Sequence, residues 1–116
     1  MLQHVSLEVS PAEADRFADL LGAVGFAPVT APGALGDAVD WYERAGTQIH
    51  LIRTDCATAP VLGHAAIVVD GFEAVLGEVR SRGFEVLEAR ELWGERRAFV
   101  LAPGGHRIEL MAAAPS

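Results

Sequence analysis

Two stretches of this 116-residue chain repeat each other closely enough to dictate its architecture. "LQHVSLEV" (2–9) and "LGHAAIVV" (62–69) align at an offset of 60, which places His4 over His64. A helix-start signal follows each at the same offset, Ser10-Pro11-Ala12-Glu13 and Asp70-Gly71-Phe72-Glu73. In both, an N-cap residue is followed three positions on by an acid that can cap it in return. Apolar residues then recur at helical spacing, Phe17, Leu20, Leu21 and Val24 against Phe72, Val75, Leu76 and Val79, until Gly25-Phe26 and Gly83-Phe84 end the two helices. Three strand-like runs complete each half: "FAPVT", "AVDWYERA" and "TQIHLIRT", then "FEVLEA", "ERRAFVLA" and "HRIELMA". The last two runs of each half turn at Ala45-Gly46 and at Pro103-Gly104-Gly105. Each half reads strand, helix, strand, strand, strand. The connecting "DCATAP" is too short for a flexible tether. The expectation is one α+β domain of two tandem βαβββ modules, residues 1–56 and 61–112.

Side-chain alternation along the strands then sorts the polar residues. Val5, Leu7 and Val9 share the face that packs under a helix, which leaves His4 and Ser6 on the other. Ala65, Ile67 and Val69 repeat that face, leaving His64 and Ala66 opposite. In "TQIHLI" the inward pair is Ile49 and Leu51, so His50 points away with Gln48. In "HRIELM" Ile108 and Leu110 go inward, and Glu109 points away with Arg107. A single strand histidine is ordinarily a hydrogen-bonded structural residue. His4, His50, His64 and Glu109, however, occupy repeat-equivalent places on the helix-free faces. Three imidazoles and a carboxylate converging there would suit a divalent transition metal such as Zn, Ni, Co, Mn or Fe(II).

Composition removes other possibilities. A 51% hydrophobic, 22% charged chain has the balance of an ordinary globular protein, and no apolar run approaches the roughly 18 residues of a membrane span. The net charge of -7, with no basic run, argues against nucleic acid as a partner. All nine basic residues are Arg, which excludes a Lys Schiff base or a phosphate-loop Lys. The lone Cys56 cannot form an internal disulfide and reads as an incidental thiol. No basic, cleavable leader opens the sequence, so a cytoplasmic setting is the default expectation. His106 reads as a turn residue. Trp93, before a glycine in a long link, is a candidate pocket wall, and Arg97 and Arg107 are candidates to hold an anionic substrate through forked hydrogen bonds.

Over essentially its whole length the chain resembles the vicinal oxygen chelate superfamily, the glyoxalase, bleomycin-resistance and extradiol-dioxygenase group. The resemblance is carried by "LQHVSLEV", "WYERAGTQIHLI", "GHAAIVVD" and "WGERRAFVLAPGGHRIEL". It implies two βαβββ modules curled into a cupped mixed sheet, with metal ligands on the first and last strands of each module. Those positions are His4, His50, His64 and Glu109, the four that alternation selects. Two departures stand out. The family's Asp-Pro-x-Gly-Asn turn reads Ala102-Pro103-Gly104-Gly105-His106, and His50 stands where isomerases of the family often carry Glu or Gln. His50 is therefore either a ligand or a base beside a centre of His4, His64 and Glu109.

By resemblance, the metal would chelate two neighbouring oxygens of a small substrate, with Glu109 or His50 as proton carrier in a lyase, isomerase or epimerase. Two histidines and a carboxylate would also serve Fe(II) in a ring-cleaving dioxygenase. The alternative is a metal-free, bleomycin-resistance-like protein that sequesters a small molecule, against which retention of all four ligand positions argues. The family also implies a homodimer, in which His4 and His50 of one chain could face His64 and Glu109 of the other.

Overall fold

A computed structural model of the chain describes residues 1–115. β1 (His4–Val9) leads through one 3₁₀ turn into α1 (Ala14–Val24), and β2 (Ala27–Val29), β3 (Val39–Arg44) and β4 (Thr47–Arg53) complete the first module. β5 (Ala65–Val68), α2 (Phe72–Ser81), β6 (Val86–Ala89), β7 (Arg97–Leu101) and β8 (Arg107–Met111) repeat the order. The expected α+β architecture is present. Neither helix is long and apolar enough to cross a membrane.

Each module builds its own four-stranded sheet, in the orders β1-β4-β3-β2 and β5-β8-β7-β6. Hairpins make the neighbouring strands antiparallel, whereas β1 joins β4 and β5 joins β8 in parallel, at the far end of the chain's path through each module. The mixed parallel and antiparallel arrangement that the resemblance implies is present, built as one four-stranded sheet per module. β1 and β5 are edge strands, and no ladder links them.

Helix ends follow the sequence at the C-terminus and depart from it at the N-terminus. Gly25 adopts φ 102°, and the N–H groups of Gly25 and Phe26 donate to Gly22 and Leu21 carbonyls, closing the helix with a left-handed residue that a side chain would strain. Phe26 and Phe84 then fold back into the core. The reciprocal N-caps do not form. The Ser10 hydroxyl donates to Glu13 Oε1, and Glu13 Oε2 accepts from the Gly104 N–H at 3.0 Å, so this carboxylate ties α1 to the other module instead. In the second module Gly71 is the N-cap with φ 65°, and Glu73 pairs with Arg96.

One apolar cluster spans both modules, with Phe17, Leu20 and Leu21 of α1, Leu76 and Val79 of α2, and Leu51 and Leu110 beneath them. Polar contacts reinforce the joint. Arg82 Nη1 donates to the Asp19 carboxylate at 2.9 Å and to its carbonyl at 3.0 Å, and the Arg16 guanidinium lies 3.6 Å over the Phe84 ring. Thr58, within the connecting segment, donates its N–H and hydroxyl to Glu8 Oε1, which docks that segment on β1.

The β3–β4 turn carries the only non-glycine with positive φ among the described residues, Ala45 at 50°, followed by Gly46 at 84°. Two successive positive φ values favour Asn-Gly over Ala-Gly. Ala45→Asn is expected to raise stability by roughly 0.5–1 kcal/mol, since Asn tolerates this conformation better than Ala. Urea denaturation measures it, and a midpoint shifted downward would contradict the turn geometry.

Candidate metal and substrate site

His50 and Glu109 owe their position to register. His50 lies between Ser6 of β1 and Trp41 of β3, and Glu109 lies between Ala66 of β5 and Phe99 of β7. Alternation holds as expected: Ile49, Leu51, Ile108 and Leu110 are buried under the helices, and His4, His50, His64 and Glu109 face the other side. His50 and Glu109 are themselves nearly covered, at 6% and 7% exposure, by their strand neighbours.

The four candidates meet two by two, not four together. His4 stacks on His50 with ring centroids 4.2 Å apart, and His64 Nε2 lies 3.0 Å from Glu109 Oε1. Among the described residues no three His, Cys, Asp or Glu side chains gather closely enough to hold a metal ion. The reason lies in the topology: each pair belongs to a separate sheet whose edge strands are not joined.

In the first pair, Gln48 donates from its amide nitrogen to Glu43 Oε1 at 3.0 Å, which turns Gln48 Oε1 toward His50 Nε2 at 2.7 Å. His50 therefore donates from Nε2, and its lone pair is at Nδ1. Its ring is sandwiched, 4.1 Å and 1° from Trp41 on one side and stacked on His4 on the other. Burial, and secondarily the neighbouring His4, lower the His50 pKa from its ordinary 6.5. His4 is held at Nδ1 by Gln3 Oε1 at 2.6 Å, which leaves Nε2 uncommitted.

This lowered pKa has a testable sign. The unfolded chain takes up a proton on His50 near pH 6.5, but the folded chain does so only at lower pH. The unfolded state binds more protons in that interval, so the stability due to neutral His50 is complete above pH 6.5 and is lost as pH falls through the folded pKa. An NMR titration of the His50 ring should give a midpoint below 6.5, and a midpoint at or above that value would refute the burial argument.

In the second pair His64 Nδ1 lies 3.0 Å from the Leu62 carbonyl, to which only an N–H can donate, so a neutral ring presents its Nε2 lone pair to Glu109 Oε1. Two acceptors 3.0 Å apart repel unless a proton or a cation lies between them. Arg97 Nη1 approaches Glu109 Oε2 at 3.5 Å while its Nε donates to the Arg90 carbonyl. Phe99 sets its ring edge-on to His64 at 5.0 Å.

No protein-family model matches the chain, and no curated protein matches it with significance. Solved structures do match. A protein assigned to the glyoxalase family from Bacillus anthracis superposes with a TM-score of 0.84 at 22% identity, over 96% of this chain and 93% of that one. The fosfomycin resistance protein FosX from Listeria monocytogenes does so with 0.78 at 18% identity, over 98% and 91%. A glyoxalase/bleomycin resistance protein/dioxygenase superfamily member from Sphaerobacter thermophilus gives 0.71 at 16%, over 96% and 95%. This chain has the glyoxalase-like fold. Likeness at such identities establishes the fold and leaves the chemistry to the residues.

Trp93 donates from Nε1 to the Ala113 carbonyl at 3.2 Å, and its ring lies 5.9 Å from the Arg97 guanidinium, so it braces the second pair. Arg107 lies 5.9 Å from the Phe99 ring. Trp41 and Phe99 stand in equivalent places beside His50 and Glu109, and strand register is what brings them there. His106 is no mere turn residue: it is 5% exposed, its Nε2 lies 2.6 Å from the Glu8 carbonyl, and its ring meets Phe17 edge-on, so it pins the two modules together. Its role was hidden because its partners lie 98 and 89 residues away along the chain.

The donor set fits a divalent cation in halves. His64, oriented from behind by a carbonyl, has the arrangement that metal-binding imidazoles use, and Glu109 supplies the compensating charge. His4 offers Nε2. His50 offers Nδ1, since its Nε2 is held by Gln48.

Proposed function

We propose that two copies of this chain pair about a twofold axis and bind a divalent transition metal between them, with His4 of one copy completing the His64 and Glu109 pair of the other. The single observation that carries this reading is the meeting of His64 Nε2 and Glu109 Oε1 at 3.0 Å, an imidazole and a carboxylate brought together where a proton or a divalent cation would be held between them. Supporting it, Val29, Val68 and Leu87 are 36%, 43% and 44% exposed on the helix-free sheet faces, opposite Trp41, Met111 and Phe99 in register, where a second copy would cover them.

The reaction that fits is proton transfer on a small substrate with adjacent oxygens, of lyase, isomerase or epimerase type. When bound, the metal would stabilise negative charge developing on those oxygens. The protein's own groups do the rest. The lone pair at His50 Nδ1 accepts a proton, while the Gln48 and Glu43 relay fixes which nitrogen is free. Arg97 orients Glu109, and the Leu62 carbonyl orients His64.

A second reading has its own observation. Leu35, Val39, Trp41 and Ile52 wall a largely apolar cavity of about 320 Å³ over His4 and His50, suited to holding a small molecule without chemistry. Elemental analysis of protein purified without a metal-affinity tag separates the two. About one transition metal per chain, absent from the His64→Ala/Glu109→Ala variant, is the expected result, and an iron site would favour the dioxygenase chemistry of the fold. No metal, and no uptake of Ni, Co, Zn, Mn or anaerobic Fe(II), would overturn the enzyme reading and leave sequestration.

A further inference from the structure

The chain carries 16 acidic residues against nine arginines, and most of those arginines are committed. Arg16, Arg53, Arg80, Arg82, Arg96 and Arg97 each meet a carboxylate. Arg44, Arg90 and Arg107 meet none among the described residues, and of these three Arg107 alone lines a cavity with one of the candidate ligands. Its place is specific: one position before Ile108 on β8, with its guanidinium 5.9 Å from the Phe99 ring, against which Arg97 also lies at 5.8 Å. Glu109 answers the charge of Arg97. No carboxylate among the described residues forms an ion pair with Arg107.

Arg107 also lines a cavity of about 240 Å³ in the gap between the edge strands β1 and β5. Val5, Leu7 and Pro60 supply its apolar wall, and Ser6, His64 and His106 join Arg107 as its polar groups. The volume is below the roughly 300 Å³ at which pockets for drug-sized molecules begin, so only a small ligand fits. A guanidinium presents a fork of N–H donors that matches the two oxygens of a carboxylate, and none of its donors has a hydrogen-bond partner among the described residues.

We propose that the substrate of this site is a small organic acid, its carboxylate held by Arg107 and its short apolar remainder held by Val5, Leu7 and Pro60, which sets the molecule beside His64. The proposal deepens the function proposed above and rests on it for the chemistry at His64, though the anion site itself needs no metal. The excess of negative charge elsewhere on the chain repels such acids, so their capture depends on a cation that lines the cavity and meets no carboxylate among the described residues.

The test is an NMR titration of the metal-depleted 116-residue protein with isobutyrate, its neutral isostere isobutyramide and the cation isobutylamine. Depletion ensures that binding cannot be coordination to a metal. Isobutyrate should saturate, shifting amides at 5–7, 63–65 and 106–108, and the other two probes should not. Arg107→Gln should weaken isobutyrate by about tenfold or more, whereas Arg44→Gln, which removes one charge from the other module, should leave it unchanged. Equal binding of the amide, preference for the amine, indifference to Arg107→Gln, or shifts confined to other segments would each overturn the proposal. Metal content measured on the same wild-type and Arg107→Gln preparations keeps the two readings apart. Arg107-dependent isobutyrate binding by a protein that takes up no metal would uphold the anion site and sink the metalloenzyme, and a metal-loaded protein without isobutyrate binding would do the reverse.

Discussion

An equimolar mixture of His4→Ala/His50→Ala and His64→Ala/Glu109→Ala chains, unfolded and refolded together, should recover metal that neither variant binds alone. Each variant paired with itself leaves every shared site half built. In a mixed pair, one site receives both damaged halves and the other receives both intact halves. Random pairing makes about half of the dimers mixed, so about a quarter of the wild-type metal should return. The geometry motivates the experiment directly: His4 with His50, and His64 with Glu109, are complete as pairs, but no three potential ligands meet within the described residues of one chain. Recovery near zero, with either variant still folded and the wild type still loaded, would place the whole site within one chain and remove the need for a partner.

Phe17→Ala should be the most damaging single core substitution. Phe17 is fully buried on α1 and packs edge-on against His106, whose Nε2 is bound to the Glu8 carbonyl of β1. Truncation leaves a cavity where the modules meet and removes the ring against which His106 is set. A loss of about 3–5 kcal/mol is expected, a large part of the roughly 5–15 kcal/mol that holds a typical domain together. Because the apolar cluster runs through both modules, the wild type and the variant should each unfold in one transition. Urea denaturation followed by tryptophan fluorescence and far-UV circular dichroism checks this, since Trp41 and Trp93 lie in different modules. A loss below about 1 kcal/mol, or separate transitions for the two tryptophans, would mean that the shared core contributes little.

Much of this protein could be read locally. The strand, helix and hairpin order follows from apolar periodicity and from Gly25 and Gly83, and the structure places every expected element with the expected face inward. The glycine C-caps were legible because a left-handed residue is a demand on one position alone. The N-caps were not. Glu13 and Glu73 had competing partners, the Gly104 N–H and Arg96, that lie far away in sequence, and a side chain goes to the best donor in space. The same limit explains His106 and Thr58, whose roles depend on Glu8, for which alternation along β1 supplies a face but no partner.

By itself, the sequence determined two βαβββ modules and the side of each sheet on which His4, His50, His64 and Glu109 stand. Alternation in a strand is a property of the backbone, so a register of apolar residues suffices to assign it. Tertiary structure alone decided that those four residues meet as two pairs, that His50 is sandwiched with its lone pair at Nδ1, and that Arg107 is left without an acid beside a small cavity. Distances between groups on different sheets depend on how the two modules pack, and that packing is fixed by contacts such as Arg82 with Asp19 and His106 with Glu8, which no local pattern encodes.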